Sequence, residues 1–129
     1  MSVSSEDFLQ QSRKLCELHA EIDFRSSISR GYYAVYHFAA DTAQRLQLPD
    51  AKKMHVGVHE RLISRFEAVG PGLRKTARKL RDLKRLRAMA DYQLDEQVLR
   101  EEAELCLAEA SRLVEHLRNI GSAKAKVED

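Results

Sequence analysis

The chain is poor in the residues that build tight turns, disulfide bonds and membrane spans. Its 129 residues include two prolines, five glycines, two cysteines and no tryptophan. Few turn-forming residues favour a small number of long elements, and the length is that of one domain. No apolar run approaches the roughly 20 residues of a membrane-spanning helix, and the N-terminal segment lacks the apolar core of a signal peptide. We therefore expect a cytoplasmic protein without membrane contact.

The two cysteines, Cys16 and Cys106, each fall within an apolar helical pattern and lie far apart in the sequence. Isolated cysteines of this kind are more often reduced core residues than a disulfide or a metal pair. We predict no cofactor and no metal site.

Apolar residues recur at helical spacing through most of the chain, and no stretch shows the alternation of a strand. Helices are predicted over residues 5–21, 23–47, 54–69, 73–92 and 95–119. The last has the clearest apolar stripe: Leu99, Ala103, Cys106, Ala110, Leu113, Leu117 and Ile120. The prediction is an all-α fold, an up-and-down bundle of four or five helices over residues 1–121, followed by a flexible tail over residues 122–129.

Positive charge is concentrated in the fourth predicted helix. The formal net charge is +2, but residues 74–87 hold eight basic residues against Asp82 alone. They are Arg74, Lys75, Arg78, Lys79, Arg81, Lys84, Arg85 and Arg87. One basic helix in a nearly neutral chain predicts an anionic partner at one place. The alternative is the solvated face of a helical bundle.

Three polar residues share one face of the second predicted helix. Arg30, Tyr33 and His37 are spaced i, i+3, i+7. Arginine pairs with phosphate, tyrosine stacks or donates a hydrogen bond, and histidine titrates near neutrality. The alternative is that the tyrosines are core aromatics and Arg30 is a buried cation paired with an acid of another helix. Spacing alone leaves both interpretations open.

His55 and His59 have the i, i+4 spacing of two zinc ligands, but the sequence offers neither the glutamate of a zinc-protease helix nor a third ligand. Metal binding is therefore not favoured. Gly57 falls inside the predicted third helix, where glycine is less stable than alanine. We expect it to allow the close approach of another backbone.

Arg87 lies at the edge of the buried stripe of the fourth helix, because Leu86 and Ala90 beside it are apolar. Asp91 at i+4 is placed to pair with it, and Tyr92 follows. The group is either a lock between helices or an anion site. The chain has no glycine-rich phosphate loop and no nucleophile elbow.

Three stretches, in this order, resemble the small stand-alone prokaryotic members of the HEPN family (higher eukaryotes and prokaryotes nucleotide-binding). They are Ser29-Arg30-Gly31-Tyr32-Tyr33-Ala34, His55-Val56-Gly57 and Arg87-Ala88-Met89-Ala90-Asp91-Tyr92. The resemblance covers about residues 5–118. It implies a helical bundle, usually a homodimer, whose arginine helices face a shared cleft that binds RNA or nucleotide. The binding residues expected here are Arg30, Tyr33, Lys84, Arg87 and Asp91.

For ribonuclease members of the family, the resemblance implies that the arginine holds the scissile phosphate. A histidine a few residues later assists a metal-independent cleavage that uses the RNA 2′-hydroxyl. Arg87 fits the arginine, but the next histidine is His116, and Tyr92 stands where the motif's histidine would fall. Tyrosine has an ordinary pKa of about 10 and is a weak acid–base catalyst at neutral pH. The candidate catalytic residues are therefore Arg87, Tyr92 and, as a substitute histidine, His37.

Three functions remain open at this stage. The favoured one is the HEPN component of a two-gene, toxin–antitoxin-like module, whose partner is a minimal nucleotidyltransferase that adds AMP to Tyr92. The second is an active ribonuclease with a non-standard motif. The third is a non-enzymatic dimeric interaction module, in which Arg87, Asp91 and Tyr92 hold helices together.

Overall fold

The computed structural model describes residues 2–50 and 56–128, with side chains as far as Ile120. It contains α1 (Ser5–Cys16), α2 (Glu21–Arg45), α3 (Val58–Glu67), α4 (Pro71–Tyr92) and α5 (Arg100–Glu128). The described part of the chain has no strand, so the predicted all-α bundle is confirmed. Within the same ranges, no helix is long and apolar enough to cross a membrane.

Helix α2 is the centre of the bundle, because it packs against each of the other four helices. Small residues make this possible: Ala34 and Ala39 are fully buried, and a Cβ atom at Gly31 would lie 3.2 Å from Oγ of Ser12 in α1. The same serine donates a hydrogen bond of 2.7 Å to the carbonyl of Ser27. Close packing on α1 and α5 leaves the tyrosine-bearing side of α2 facing α3 and α4.

The predicted apolar stripes form most of the core. In α5 the residues from Ala103 to Leu117 in the predicted stripe are buried, whereas Leu99 precedes the helix and is 47% exposed. Leu86 is also exposed, so its assignment to the core was wrong. Cys16 and Cys106 are buried and unpaired, as predicted. Burial raises the pKa of both thiols, that of Cys106 to about 12, which keeps them protonated.

Arginine side chains, each from a different helix, cap the C-terminal ends of three helices. Arg100 donates to the carbonyls of Cys16, the last residue of α1, and of Leu18. Arg65 of α3 donates to the carbonyls of Ala43 and Leu48 at the end of α2. Arg25 of α2 donates in the same way to carbonyls at the C-terminal end of α4. These contacts satisfy carbonyls that have no partner within their own helix, and in a chain with five glycines they replace the usual glycine caps.

The junction before α5 differs from its prediction for a tertiary reason. The sequence predicts a helix that starts at Asp95, but α5 begins at Arg100. The backbone N–H of Val98 donates to Oε1 of Glu21 at 2.7 Å, and Arg25 donates to the carbonyl of Glu96. Residues at the start of α2 therefore hold this connection in a non-helical path.

Other helix ends also differ from their predicted positions. Helix α1 ends at Cys16 and α2 begins at Glu21, so the first predicted helix is too long. Gly57 is the N-cap of α3 rather than an interior residue, and no atom of the described residues lies within 4 Å of the Cβ position that it lacks. Within the described residues, the close approach of another backbone expected there is not found. Helix α5 continues to Glu128, past its predicted end, while flexibility of the tail stays a prediction.

Candidate anion-binding site

Arg87 lies on the inward stripe of α4, one turn after Leu83 and one turn before Ala90, both of which are buried. Its side chain is 11% exposed, and its Nη1 atom is 3.5 Å from Oδ2 of Asp91. Asp91 also accepts a hydrogen bond of 3.3 Å from the hydroxyl of Ser29. The Nε atom of Arg87 is buried and has no hydrogen-bond partner among the described residues. One hydrogen-bond donor of the guanidinium is therefore unsatisfied, and its ion pair with Asp91 is long.

Three tyrosine rings surround this guanidinium. The ring centroids of Tyr32, Tyr33 and Tyr92 lie 5.6, 5.7 and 5.9 Å from its Cζ atom, within the range of cation–π attraction. Tyr32 is buried and Tyr33 half-buried, whereas Tyr92 is 73% exposed. The two α2 rings form inner walls, and Tyr92 presents an aromatic face to solvent beside the cation.

His59 of α3 completes the group. Its Nδ1 atom lies 2.6 Å from the hydroxyl oxygen of Tyr32. Burial raises the pKa of Tyr32, so its hydroxyl keeps the proton. Burial lowers the pKa of His59, and the nearby charges of Arg87 and Lys84 lower it further. A protonated tyrosine hydroxyl and a neutral imidazole therefore share this hydrogen bond, whose direction follows the imidazole tautomer.

The two remaining residues predicted on α2 lie beside this group rather than in contact with Arg87. The His37 ring packs on Phe8 at 5.1 Å and on Tyr33 at 6.3 Å, and the Tyr33 ring also contacts Arg87. Arg30 is exposed and stands 5.7 Å over the Phe8 ring. The interpretation of Arg30 as a buried cation was wrong.

Some of the basic residues of α4 are paired with acidic residues of α3. Arg81 contacts Glu60 at 2.6 Å and Glu67 at 2.9 Å, and Lys84 contacts Glu60 at 3.3 Å. The hydrogen bond from Arg81 lowers the pKa of Glu60, which keeps this cluster ionised. Lys84 thus takes part in the packing of α3 on α4, and its charge reaches the site through its effect on His59.

Tyr32 and His59 are the site residues that sequence reasoning missed. Tyr32 was considered only among the tyrosines of α2 interpreted as core aromatics. His59 was considered as a zinc ligand together with His55, which lies outside the described residues. Within the described ranges, no group of three or more histidine, cysteine, aspartate or glutamate side chains is arranged to hold a metal ion. The one local feature that pointed to Tyr32 as a site residue is the adjacent Tyr32–Tyr33 pair. Two neighbouring tyrosines close to an arginine on one helix are unusual for residues that only form a core. No local pattern relates His59 to Arg87.

The protein is an all-helical bundle in which a largely buried arginine lies between three tyrosine rings. The family model for the HEPN domain matches residues 4–120. The chain therefore belongs to the HEPN family, as the resemblance predicted. Comparison with curated proteins and with solved structures found no match.

The lowered pKa of His59 predicts a specific loss of stability in acid. The unfolded chain binds a proton at this histidine near its ordinary pKa of 6.5, whereas the folded chain binds it only at lower pH. Below about pH 6.5 the unfolded state therefore holds more protons, and the free energy of unfolding falls as the pH falls through this window. Urea denaturation from neutral pH to about pH 5 should show a smaller decline in His59→Gln than in the wild type. An identical decline in both proteins would contradict the assignment; His37→Gln, which removes an exposed imidazole, is the matched control.

Proposed function

We propose that this HEPN protein binds the phosphate of RNA or of a nucleotide at Arg87. The observation that supports the proposal is the guanidinium itself, whose Nε is buried without a partner and whose carboxylate is 3.5 Å away. Keeping such a group inside a bundle costs stability unless a ligand completes its hydrogen bonds. Phosphate oxygens match the donors of arginine, and Tyr92 supplies a ring on which a base stacks.

The test is a titration of the full-length protein with single-stranded RNA over a range of salt concentrations. Binding should weaken as salt increases, since phosphate contacts release counterions. Tyr92→Ala should lower the affinity by about tenfold, because stacking on an aromatic side chain contributes about 1–3 kcal/mol per base. Tyr92→Phe keeps the ring and should bind as the wild type does. Equal losses in both variants would exclude stacking, and no salt-dependent binding of RNA or nucleotide would contradict the proposal as a whole.

We also infer a partner, a minimal nucleotidyltransferase encoded in the same two-gene, toxin–antitoxin-like module. In the proposed reaction the Tyr92 oxygen attacks the α-phosphorus of ATP, pyrophosphate leaves, and the tyrosine proton passes to solvent. The 73% exposure of Tyr92 supports this, since a second protein can reach its hydroxyl. Mass spectrometry of the protein co-expressed with the product of the adjacent reading frame should show one added AMP, absent from Tyr92→Phe. An unmodified wild-type protein would contradict the partnership while leaving RNA binding unaffected.

The proposal includes a cytoplasmic homodimer whose arginine helices face a shared cleft. Leu86 is 37% exposed and Leu94, just after α4, is 74% exposed. Exposed apolar side chains next to a polar site suit an interface between copies. Sedimentation equilibrium of the full-length chain should give a dimer, and a monomer at all concentrations would contradict it.

A second candidate function, metal-independent cleavage of RNA, is favoured by the position of His59. This imidazole hydrogen-bonds Tyr32, whose ring lies against Arg87, so a histidine from α3 stands near the arginine although the motif lacks one. RNA incubated with the protein and a chelator should then be cut, and Arg87→Ala should abolish the cutting. Activity that persists in that variant would identify a contaminating nuclease.

A further inference from the structure

The N-terminal part of α4, before Arg81, carries basic residues that have no acidic partner among the described residues. Downstream in the helix, Arg81, Lys84 and Arg87 each face a carboxylate. Among the described residues, neither Lys75 nor Lys79 makes an ion pair. The first turn of α4 also has no acidic residue. Arg74 lies in this first turn, where a positive charge opposes the helix dipole.

Both of these lysines border a cavity of about 130 Å³ between α4 and α5, called the α4–α5 pocket. It is lined by Lys75, Thr76, Lys79, Arg112, Leu113 and His116. The hydroxyl of Thr76 is buried and lies 3.2 Å from Nε2 of His116, which fixes the imidazole against the wall. Basic side chains from two helices therefore converge on one cavity, whose floor is a hydroxyl and a leucine.

The balance of charge in the α4–α5 pocket is positive. Three cationic side chains line it, and the acid that contacts one of them is Glu109, 2.7 Å from Arg112. Both members of this pair are exposed, at 63% for Arg112 and 47% for Glu109, so the pair contributes little and rearranges readily. Asp82, near Lys79 in the adjoining cavity, is paired with Arg85 at 3.4 Å.

We propose that the α4–α5 pocket is a second anion site, which binds the phosphate group of a nucleotide or of an RNA backbone. It is separate from the Arg87 site. Lys79 precedes Arg87 by eight residues, a rise of about 12 Å along the helix. Arg87 faces the tyrosines of α2, whereas Lys79 faces α5. The second site goes beyond the function proposed above and does not depend on it.

The experiment is a titration of the full-length protein with inorganic phosphate, followed by NMR at the side chains of Thr76 and His116. Sodium chloride at equal ionic strength is the reference. Phosphate should shift both side chains, and Lys79→Glu should weaken its affinity by about tenfold or more, as the loss of one charge-assisted hydrogen bond predicts. Arg78→Glu is the matched control, since it makes the same charge change at an exposed position of α4 outside the pocket. It should weaken affinity by less than about threefold, because exposed charges are screened.

Each outcome decides the proposal. Equal weakening by the two variants would show a diffuse positive field rather than a site, and unshifted Thr76 and His116 would show no site; either result overturns it. Arg87→Met should leave the response intact, so a failure of the Arg87 site is read separately. If a short oligouridylate displaces the phosphate, the natural source is an RNA backbone; if only phosphate and pyrophosphate bind, the source is a small molecule or a nucleotide.

Discussion

Replacing Arg87 with methionine should lower the affinity for RNA or nucleotide by about a hundredfold, because two charge-assisted hydrogen bonds to phosphate are lost, at about 1.5 kcal/mol each. The free energy of unfolding should change by less than about 1.5 kcal/mol. Methionine fills the space between the tyrosine rings and removes the unsatisfied Nε. Asp91 is not stranded, since its side chain is 29% exposed and hydrogen-bonds Ser29. Fluorescence anisotropy with labelled RNA and urea denaturation measure the two quantities.

The matched control is Arg85→Met. Arg85 lies on the same helix, but its side chain is 73% exposed and its pair with Asp82 is at the surface. The Arg85→Met substitution removes the same charge as Arg87→Met and should change the affinity for RNA or nucleotide by less than about threefold. The opposite pattern for Arg87→Met, unchanged affinity with a loss of more than about 3 kcal/mol in stability, would favour the interaction module in which Arg87 only holds helices together.

Arg25→Ala should lower the free energy of unfolding by about 3–5 kcal/mol, since it leaves buried acceptors without their charged donor. Arg25 is 4% exposed, and its Nη1 atom donates to the carbonyls of Ala90 at 2.9 Å and Gln93 at 3.2 Å. Its Nη2 atom donates to the carbonyl of Glu96. These carbonyls belong to the last turn of α4 and the connection after it, so the variant should also disturb the position of Arg87.

The control for Arg25 is Arg45→Ala on the same helix. Arg45 pairs with Asp41 at 2.9 Å, but the two side chains are 71% and 54% exposed, and such pairs contribute less than about 1 kcal/mol. Arg25→Lys should recover only part of the loss, because an ammonium group does not have the planar fork that reaches several carbonyls at once. Equal urea midpoints for Arg25→Ala and Arg45→Ala would show that the cap contributes nothing.

Local pattern predicted the candidate site only in part. Arg87 and Asp91 are spaced i, i+4, so spacing alone places them on one helical face. The contact of Tyr92 with Arg87, at i+5, is seen only in the structure. Tyr33 was expected to contribute from α2, and the structure brings its ring to Arg87. His59 was not predicted at the site, because its approach depends on how α3 docks against α2 and α4. In the fold, Nδ1 of His59 lies 2.6 Å from the hydroxyl oxygen of Tyr32, whose ring contacts Arg87.

The roles of the arginines show the same limit. Arg25 and Arg30 lie five residues apart on one helix, and the sequence pattern predicted a binding role for Arg30 alone. In the fold Arg25 is buried as a cap and Arg30 is exposed. Which of them meets unpaired carbonyls depends on where the C-terminal end of α4 falls, and this is settled by packing between helices.

Periodicity and charge along the chain predict an all-helical bundle with positive charge on its fourth helix, because both are properties of near neighbours, and three ordered motifs indicated the HEPN family. The packing of the helices determines which cations are neutralised, which arginine is left incompletely paired between tyrosines, and where the basic pocket beside α5 forms. Those outcomes depend on side chains far apart in the chain meeting at fixed distances, and helix packing alone sets these distances.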